Sequence, residues 1–175
     1  MENILAQQNE QMTTKEALEY FDSLEPASLE MMIGKWKGEG IDTNHPMNDL
    51  LKVSGWHGKI FEDMNNVHPL VHKGLFGGKY CINPALLPMK LAIKLPFLSI
   101  LTPLFLVIFK PLISTKKPKA QLRMTEFRSK ISATMLYDAK PINDVFRKID
   151  ENTLLGLMDH KGDETPFFFK LTKET

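Results

Sequence analysis

The chain has 175 residues and a formal net charge of +1, and 43% of its residues are hydrophobic and 25% charged. These values are ordinary for one soluble globular domain with a single core. Its single cysteine excludes an intrachain disulfide and a cysteine-based zinc cluster. The first residues, MENILAQQNEQM, lack the basic start and apolar run of a secretory signal. We therefore expect a cytoplasmic protein.

The N-terminal region favours helices. Thr13 and Glu16 have the spacing of a capping box, and apolar residues follow them at helical intervals. This pattern predicts a helix over residues 14–24. A second, shorter helix is expected before Gly34, because glycine commonly follows the last turn of a helix. We treat residues 1–28 as a helical extension of the domain.

Both tryptophans of the chain are flanked by glycines, in IGKWKGEG (33–40) and in SGWHGK (54–59). The alternation around Trp36 predicts a strand that begins at residue 34 and directs the indole into the core. After a short helix, a second strand is expected over residues 56–61. Glycine within a strand marks a bulge, a sharp bend or a close backbone approach, which a strongly curved sheet needs around a bulky ring.

The second half of the chain contains further strand patterns. Proline and glycine are frequent between His68 and Pro88, which predicts loops with one strand near residues 79–82. Two hairpins are expected beyond them, and Pro141 is expected to open a short helix, PINDVFRKI, between the hairpins. The predicted hairpin strands cover residues 121–127, 131–137, 153–159 and 166–171.

Together these elements predict a β-rich α+β domain over residues 29–175. Because closure removes the exposed edges of a small sheet, we expect an antiparallel β-barrel with an N-terminal helix and short connecting helices. We divide this domain into residues 29–88 around the tryptophan motifs, a basic and apolar insertion over residues 89–119, and a C-terminal part over residues 120–175.

The motif GKWKG resembles the Gly-x-Trp-x-Gly motif of the GXWXG family, and HPMNDLL and GWHGKIF fit the same region. The C-terminal part resembles the domain of unknown function, DUF4334, that usually follows this motif. The shared patterns are RMTE, ATMLYD, PINDVFR and LGLMD. The resemblance covers the chain from about residue 29 onward and implies no defined activity.

The Gly-x-Trp motif is also similar to that of lipocalins, in which an arginine from a late strand packs across the indole and closes the barrel. By this analogy we expect Arg123 or Arg147 to lie over Trp36. A guanidinium stacked on an indole gains roughly 0.5–2 kcal/mol, and its donors remain free for loop carbonyls. The analogy also implies a lipocalin-like barrel.

Charge is distributed unevenly along the chain. Residues 64–125 contain no Asp or Glu but nine Lys and Arg residues, and this asymmetry indicates an anionic partner. Within this stretch, LPFLSILTPLFLVIF (95–109) is uncharged and bracketed by lysines. It is shorter than the about 20 residues of a membrane-spanning helix, and prolines interrupt it. It is either part of the core or an apolar lid that rests in a membrane interface; we favour the lid.

The leading prediction is therefore a protein that binds or carries a hydrophobic ligand, a lipid or phospholipid, in a barrel cavity. The expected ligand-binding residues are Trp36, Trp56, His57, Arg123, Phe127, Met135, Tyr137, Arg147, Phe167 and Phe169. The expected contacts with an anionic membrane surface are Lys90, Lys94, Phe97, Leu101, Phe105, Phe109, Lys110, Lys116, Lys117 and Lys119. Such a protein would associate peripherally with the membrane.

Two other functions stay open: a small cavity enzyme acting on a hydrophobic substrate, and a protein-interaction module. The polar residues of such an enzyme would be Glu126, Asp138, Asp144, Arg147, Asp159 and His160, with His45 and His57. No Walker loop, Gly-x-Ser-x-Gly elbow or dinucleotide fingerprint occurs, so no cofactor is expected. His68 and His72 have the spacing of helical zinc ligands, but Pro69 opposes a helix and no metal is expected. Nucleic acid is a weaker candidate, because the lysines border aliphatic residues rather than stacking aromatics.

Overall fold

The computed structural model describes residues 12–74, 77–87 and 101–175. The helices are α1 (Thr14–Ser23), α2 (Leu29–Met32), α3 (Pro46–Ser54) and α4 (Thr102–Ile113). The strands are β1 (Glu25–Pro26), β2 (Gly34–Gly40), β3 (Trp56–Phe61), β4 (Val67–Lys73), β5 (Lys79–Ile82), β6 (Ser114–Thr115), β7 (Ala120–Phe127), β8 (Lys130–Tyr137), β9 (Ile142–Asp150), β10 (Thr153–His160) and β11 (Phe167–Lys173).

Eight of the described strands form a closed antiparallel barrel, which confirms the predicted fold class. Their order is β3-β2-β11-β10-β9-β8-β7-β4, and β4 pairs with β3 to close the ring. The pairing of β4 with β7 is short, with Val67 opposite Ala120. Strands β5 and β6 extend the sheet beyond β4, and β1 pairs with the part of β9 that follows its pairing with β8.

Helix α1 begins as the sequence predicts. Thr13 and Glu16 form a capping box, in which the Thr13 hydroxyl accepts from the Glu16 N–H and the Glu16 carboxylate accepts from the Thr13 N–H. The helix packs against the outer face of the barrel, where Ala17 and Phe21 are buried against residues of β9, β10 and β11. Below them, the guanidinium of Arg147 lies 4.6 Å from the centre of the Phe21 ring.

The predicted helix PINDVFRKI is wrong, because these residues form strand β9. Ile142 and Phe146 belong to the core inside the barrel, whereas Val145 belongs to the cluster under α1 on the outside. A strand that is buried on both faces carries apolar residues without strict alternation. Their spacing therefore imitated the apolar face of a helix.

The loops predicted between residues 68 and 88 also need correction, because β4 occupies Val67–Lys73. Pro69 lies within this strand. The pairing of β3 with β4 shifts register between the pairs Gly58–Val71 and Ile60–His68, and Pro69 falls in this irregular stretch. A missing N–H is tolerated where the hydrogen-bond ladder is already interrupted.

Trp36 is fully buried in the barrel core, as its strand pattern predicts. Its indole N–H donates to the Met32 carbonyl at 2.7 Å, and this bond fixes the ring below α2. The cation over the ring is Lys173, whose Nζ lies 5.3 Å from the ring centre. Lysine from the last strand thus holds the position that the lipocalin analogy assigned to arginine.

The prediction of Arg123 or Arg147 over Trp36 is wrong. Arg123 donates to the carbonyl of Met64 at 2.7 Å. Arg147 lies over the Phe21 ring on the outer face and donates to the Phe127 carbonyl. Alternation explains the error, since each arginine follows a neighbour that faces the barrel interior and therefore points outward itself.

Candidate functional site

One end of the barrel contains a cavity of about 340 Å³. Helices α3 and α4 pack against each other and contribute part of its wall. The volume is within the range of about 300–1,000 Å³ that small-molecule sites occupy. The lining residues are Met47, Leu50, Leu51, Ser54, Trp56, Lys59, Leu70, His72, Leu87, Leu101, Thr102, Phe105, Leu106, Tyr137, Asp144, Met158, Phe167 and Phe169.

Two glycines make room for the aromatic side chains of this cavity. A Cβ atom on Gly38 would lie 2.2 Å from the Trp56 indole, and one on Gly156 would lie 2.3 Å from the Phe169 ring. These distances are too short for any side chain, so the aromatic rings occupy space that only glycine leaves open. The second glycine of GKWKG therefore serves the other tryptophan of the chain, whose ring meets that of Phe169 edge-on at 5.8 Å.

A buried ion pair interrupts the apolar wall. The Nζ atom of Lys59 lies 2.8 Å from Oδ2 of Asp144, and the two side chains are only 3% and 1% exposed. The Lys59 ammonium also donates to the Pro69 carbonyl at 3.2 Å. Its Nζ lies 5.0–5.7 Å from the ring centres of Phe169, Trp56 and Tyr137. Three aromatic faces and one carboxylate thus surround a single cation, which partly replaces its lost hydration.

Polar atoms beside this pair are incompletely satisfied. Among the described residues, Oδ1 of Asp144 and Nε1 of Trp56 are buried without a hydrogen-bond partner. Burial raises the pKa of Asp144, and the neighbouring Lys59 opposes this rise. Burial also raises the pKa of Tyr137 well above its ordinary value, with a further contribution from Asp144. The Tyr137 phenol is therefore neutral and keeps its proton.

His72 contributes a neutral imidazole to the cavity wall. Burial lowers its pKa from 6.5 to about 4, against the opposing effect of a hydrogen bond to Ser54. Nδ1 lies 3.0 Å from the Ser54 carbonyl oxygen. A carbonyl can only accept, so Nδ1 carries the proton and Nε2 is the acceptor nitrogen. The site therefore has one buried ion pair and otherwise neutral walls.

Sequence reasoning missed Lys59 because a bulge changes its direction. Strict alternation from Trp56 would place Ile60 inside the barrel and Lys59 outside. The pairing of β3 with β4 instead shifts register on both sides of Gly58, whose φ of 150° is adopted mainly by glycine. Lys59 and Phe61 consequently become buried, while Ile60 is only half-buried. The glycine before Lys59 was the available signal.

The predicted ligand-binding residues fall into three groups. Trp56, Tyr137, Phe167 and Phe169 line the cavity. Trp36 and Met135 are fully buried in the barrel core without lining it. The remaining predicted residues, His57, Arg123, Phe127 and Arg147, lie away from the cavity. His57, for example, is 2.8 Å from Glu174.

The polar cluster predicted for an enzyme is not assembled at one place. Asp144 lies in the cavity wall, but Glu126 and Asp138 are exposed and Arg147 lies under α1. His160 pairs with Asp163. Asp159 is half-buried, and His45 caps α3 by accepting from the Met47 N–H. In the described part of the chain, no group of three or more His, Cys, Asp and Glu residues is arranged to hold a metal ion.

Helix α4 contributes side chains to the cavity wall and also exposes apolar side chains. Leu101, at its N-cap, and Phe105 line the cavity, and Leu106 is buried. The helix also exposes Leu104, Val107, Ile108, Phe109 and Leu112. Within residues 12–74, 77–87 and 101–175, no helix is both long and apolar enough to cross a membrane.

Of the other predicted membrane contacts, Lys110, Lys116 and Lys117 are exposed, and Lys119 is half-buried. Lys110 lies in the last turn of α4, and its Nζ atom is 4.4 Å from the centre of the Tyr80 ring. Lys90, Lys94 and Phe97 lie outside the described residues.

Comparisons with known proteins agree with the sequence motifs. Residues 19–77 match the GXWXG protein family, and residues 118–173 match a domain of unknown function, DUF4334. A crystal structure of a protein from Thermomonospora curvata is similar with a TM-score of 0.72 and 27% sequence identity, covering 94% of this chain and 90% of that chain. A search of curated proteins gave no match.

Proposed function

This chain joins a GXWXG region to a DUF4334 domain within one barrel, and we propose that it binds and carries a hydrophobic ligand in the cavity. The observation that carries the proposal is the position of α4. The same helix lines an apolar cavity and exposes several apolar side chains. A ligand that leaves a membrane would therefore meet the apolar side chains of this helix on its way to the cavity.

The size of the cavity favours a lipid with one hydrocarbon chain. Its volume of about 340 Å³ is near the lower end of the range for small-molecule sites. A phospholipid with two long chains needs considerably more space. The ligand class we propose is therefore a single-chain lipid or another apolar molecule of similar size.

Charge favours an anionic membrane as the source or destination of the ligand. Lys110 in the last turn of α4 and Lys116 and Lys117 after it are exposed, and residues 64–125 contain no acidic side chain. Each such lysine near an anionic leaflet is worth about 1 kcal/mol. Burial of the exposed side chains of α4 in the interface would add a contribution that salt does not remove.

The cavity is tested by chain length. We expect n-alkanols from hexanol to tetradecanol to bind with affinity that rises up to about four-fold per added methylene, because burial of one CH₂ contributes about 0.8 kcal/mol. The gain should end when the chain fills the cavity. Calorimetric titration of protein purified without detergent measures this series, and native mass spectrometry shows which lipid is retained during purification.

A variant that blocks the cavity tests the same proposal, and a variant at an exposed position provides its control. Leu70→Trp places a large ring in the cavity wall and should abolish alkanol binding. Ile131→Trp adds the same ring at a position that is 60% exposed and does not line the cavity, so binding should be unchanged. Equal binding by both variants, or the absence of a chain-length dependence in the unmodified protein, would refute a ligand-carrying cavity.

A further inference from the structure

The cavity wall is not uniformly apolar, and its polar part suggests which end group the ligand carries. Lys59 and Asp144 are the charged residues among the described residues that line the cavity. They are paired at 2.8 Å, so together they present no net charge to a ligand. The inference below rests on the proposed function, since it concerns the ligand of that same cavity.

Lys59 has a hydrogen-bond donor available. An ammonium group has three N–H donors. Among the described residues, two oxygen atoms take up donors of Lys59, namely Oδ2 of Asp144 and the carbonyl oxygen of Pro69. The other neighbours of the ammonium are the rings of Trp56, Tyr137 and Phe169. An oxygen atom of a ligand can therefore accept the third N–H.

Asp144 has the complementary acceptor. Its Oδ2 is held by Lys59, whereas its Oδ1 is fully buried and has no hydrogen-bond partner in the described part of the chain. Leaving such an oxygen unsatisfied is costly, and the cost is relieved by a donor from a ligand. The acceptor and the available donor belong to two residues in direct contact, so one small group can reach both.

We propose that the ligand is a neutral single-chain lipid whose terminal hydroxyl accepts a hydrogen bond from Lys59 and donates one to Oδ1 of Asp144. A hydroxyl is both donor and acceptor, and it therefore satisfies both groups. An ester or ketone satisfies the lysine alone. A fatty-acid carboxylate satisfies the lysine but brings a second negative charge next to Asp144, whose side chain is only 1% exposed, so water screens the repulsion poorly.

If the ion pair served only to stabilise the fold, it would not select among an alcohol, an ester and a carboxylate. A buried pair can be replaced by apolar residues of similar volume with little loss of stability, so stability alone does not require it. Its position in the cavity wall, next to incompletely satisfied polar atoms, is what a group that recognises a ligand requires. The test must therefore measure ligand preference rather than stability.

The probes are decanol, methyl nonanoate and decanoate, which are of similar length and differ in the end group. At neutral pH we expect decanol to bind at least about ten-fold more tightly than decanoate, with the ester between them. Asp144→Asn removes the carboxylate and leaves Lys59 as an uncompensated cation. In this variant the preference should reverse, so that decanoate binds more tightly than decanol.

The double variant Lys59→Met with Asp144→Leu is the control for folding. It replaces both charges with apolar side chains and should bind the three probes with affinities within about three-fold of one another. If decanoate binds the unmodified protein as tightly as decanol, or if the double variant retains the preference for the alcohol, the inference is wrong while the carrier function stands. If no probe binds the unmodified protein, the carrier function itself is wrong.

Discussion

Helices α1 and α4 have similar lengths, but they relate to the barrel in opposite ways. Helix α1 places its apolar residues, such as Phe21, against the outer wall, and it directs Lys15 and Glu19 to solvent. Helix α4 buries Leu106 and Ile113 but exposes most of its other apolar residues. The first is an ordinary amphipathic helix of a soluble domain.

This difference in burial indicates that packing against the barrel explains the apolar residues of only one of the two helices. Burial of its apolar face against the barrel is sufficient to account for α1. The exposed face of α4 includes Leu112, which is 71% exposed, and contiguous apolar surfaces of this kind mark sites of interaction. We therefore expect α1 to contribute mainly to stability and α4 mainly to the proposed function. Four predictions test this division.

The largest effect is expected at α1. Phe21→Ala should lower the free energy of unfolding by about 3–5 kcal/mol, because it opens a cavity under the helix and removes the ring that contacts Arg147. Leu112→Ala, the matched truncation on α4, should change it by less than about 0.5 kcal/mol. Urea denaturation measures both values. Similar losses at the two positions would show that α4 is as much a part of the core as α1.

Lowering the pH should reduce stability through the cavity wall and through the α1 region in different pH ranges. The pKa of His72, in the cavity wall, is about 4 in the folded protein against 6.5 in its ordinary state, so only the unfolded chain takes up a proton between these values. Stability should therefore fall as the pH falls from 6.5 to 4, by about 3 kcal/mol at most. On the α1 side, the Arg128 guanidinium lowers the pKa of Asp22, so that contribution is lost only as the pH falls below 3.8.

His72→Gln provides the control for this pH dependence. The difference in unfolding free energy between the unmodified protein and the variant should decrease as the pH falls from 6.5 to 4. Urea titrations at several pH values measure it. A difference that does not change over this range would mean that His72 titrates alike in the folded and unfolded protein.

A smaller effect is expected when the exposed face of α4 becomes charged. Ile108→Asp should weaken binding to anionic vesicles by about 2 kcal/mol or more at any salt concentration, because an apolar side chain no longer enters the interface. Ile108 is 59% exposed, and Ile131, on strand β8, is 60% exposed. Ile131→Asp is therefore a matched control that should leave flotation unchanged. Equal flotation of the two variants would show that α4 does not contact the membrane.

The smallest effect concerns the lysines next to α4. Replacing Lys116 and Lys117 with glutamine should weaken vesicle binding by about 1 kcal/mol per charge, and raised salt should reduce the difference. Lys35→Gln, at the start of β2, provides a control for net charge. Flotation with neutral and anionic vesicles gives the comparison. Equal recovery with both vesicle types would show that the basic residues of the segment 64–125 do not attract the protein to anionic lipid.

Local patterns in the sequence predicted much of the barrel. The capping box at Thr13 located the start of α1, and the apolar spacing placed its end one residue beyond the observed Ser23. The alternation around Trp36 located β2. The prediction failed in β9, where α1 buries the outer face and removes the alternation that identifies a strand. It also failed at Pro69, where an irregular register tolerates a residue that ordinarily interrupts a strand.

The candidate site was only partly predictable for a related reason. Aromatic residues such as Trp56 and Phe169 are expected in a barrel interior on composition and alternation alone, and they do line the cavity. Lys59 was not expected there, because its direction depends on the bulge at Gly58 and its burial depends on Asp144, a residue 85 positions away. The sequence shows neither dependence.

The sequence by itself determined the family motifs, the barrel class, the buried Trp36 and the uneven distribution of charge, because each of these depends on residue type or on short-range periodicity. Only the tertiary structure decided which residues meet in the cavity, which cation lies over Trp36 and which face of α4 stays exposed. These features arise when strands far apart in the chain become neighbours, and a shift of one residue in register turns every side chain of a strand to the other face.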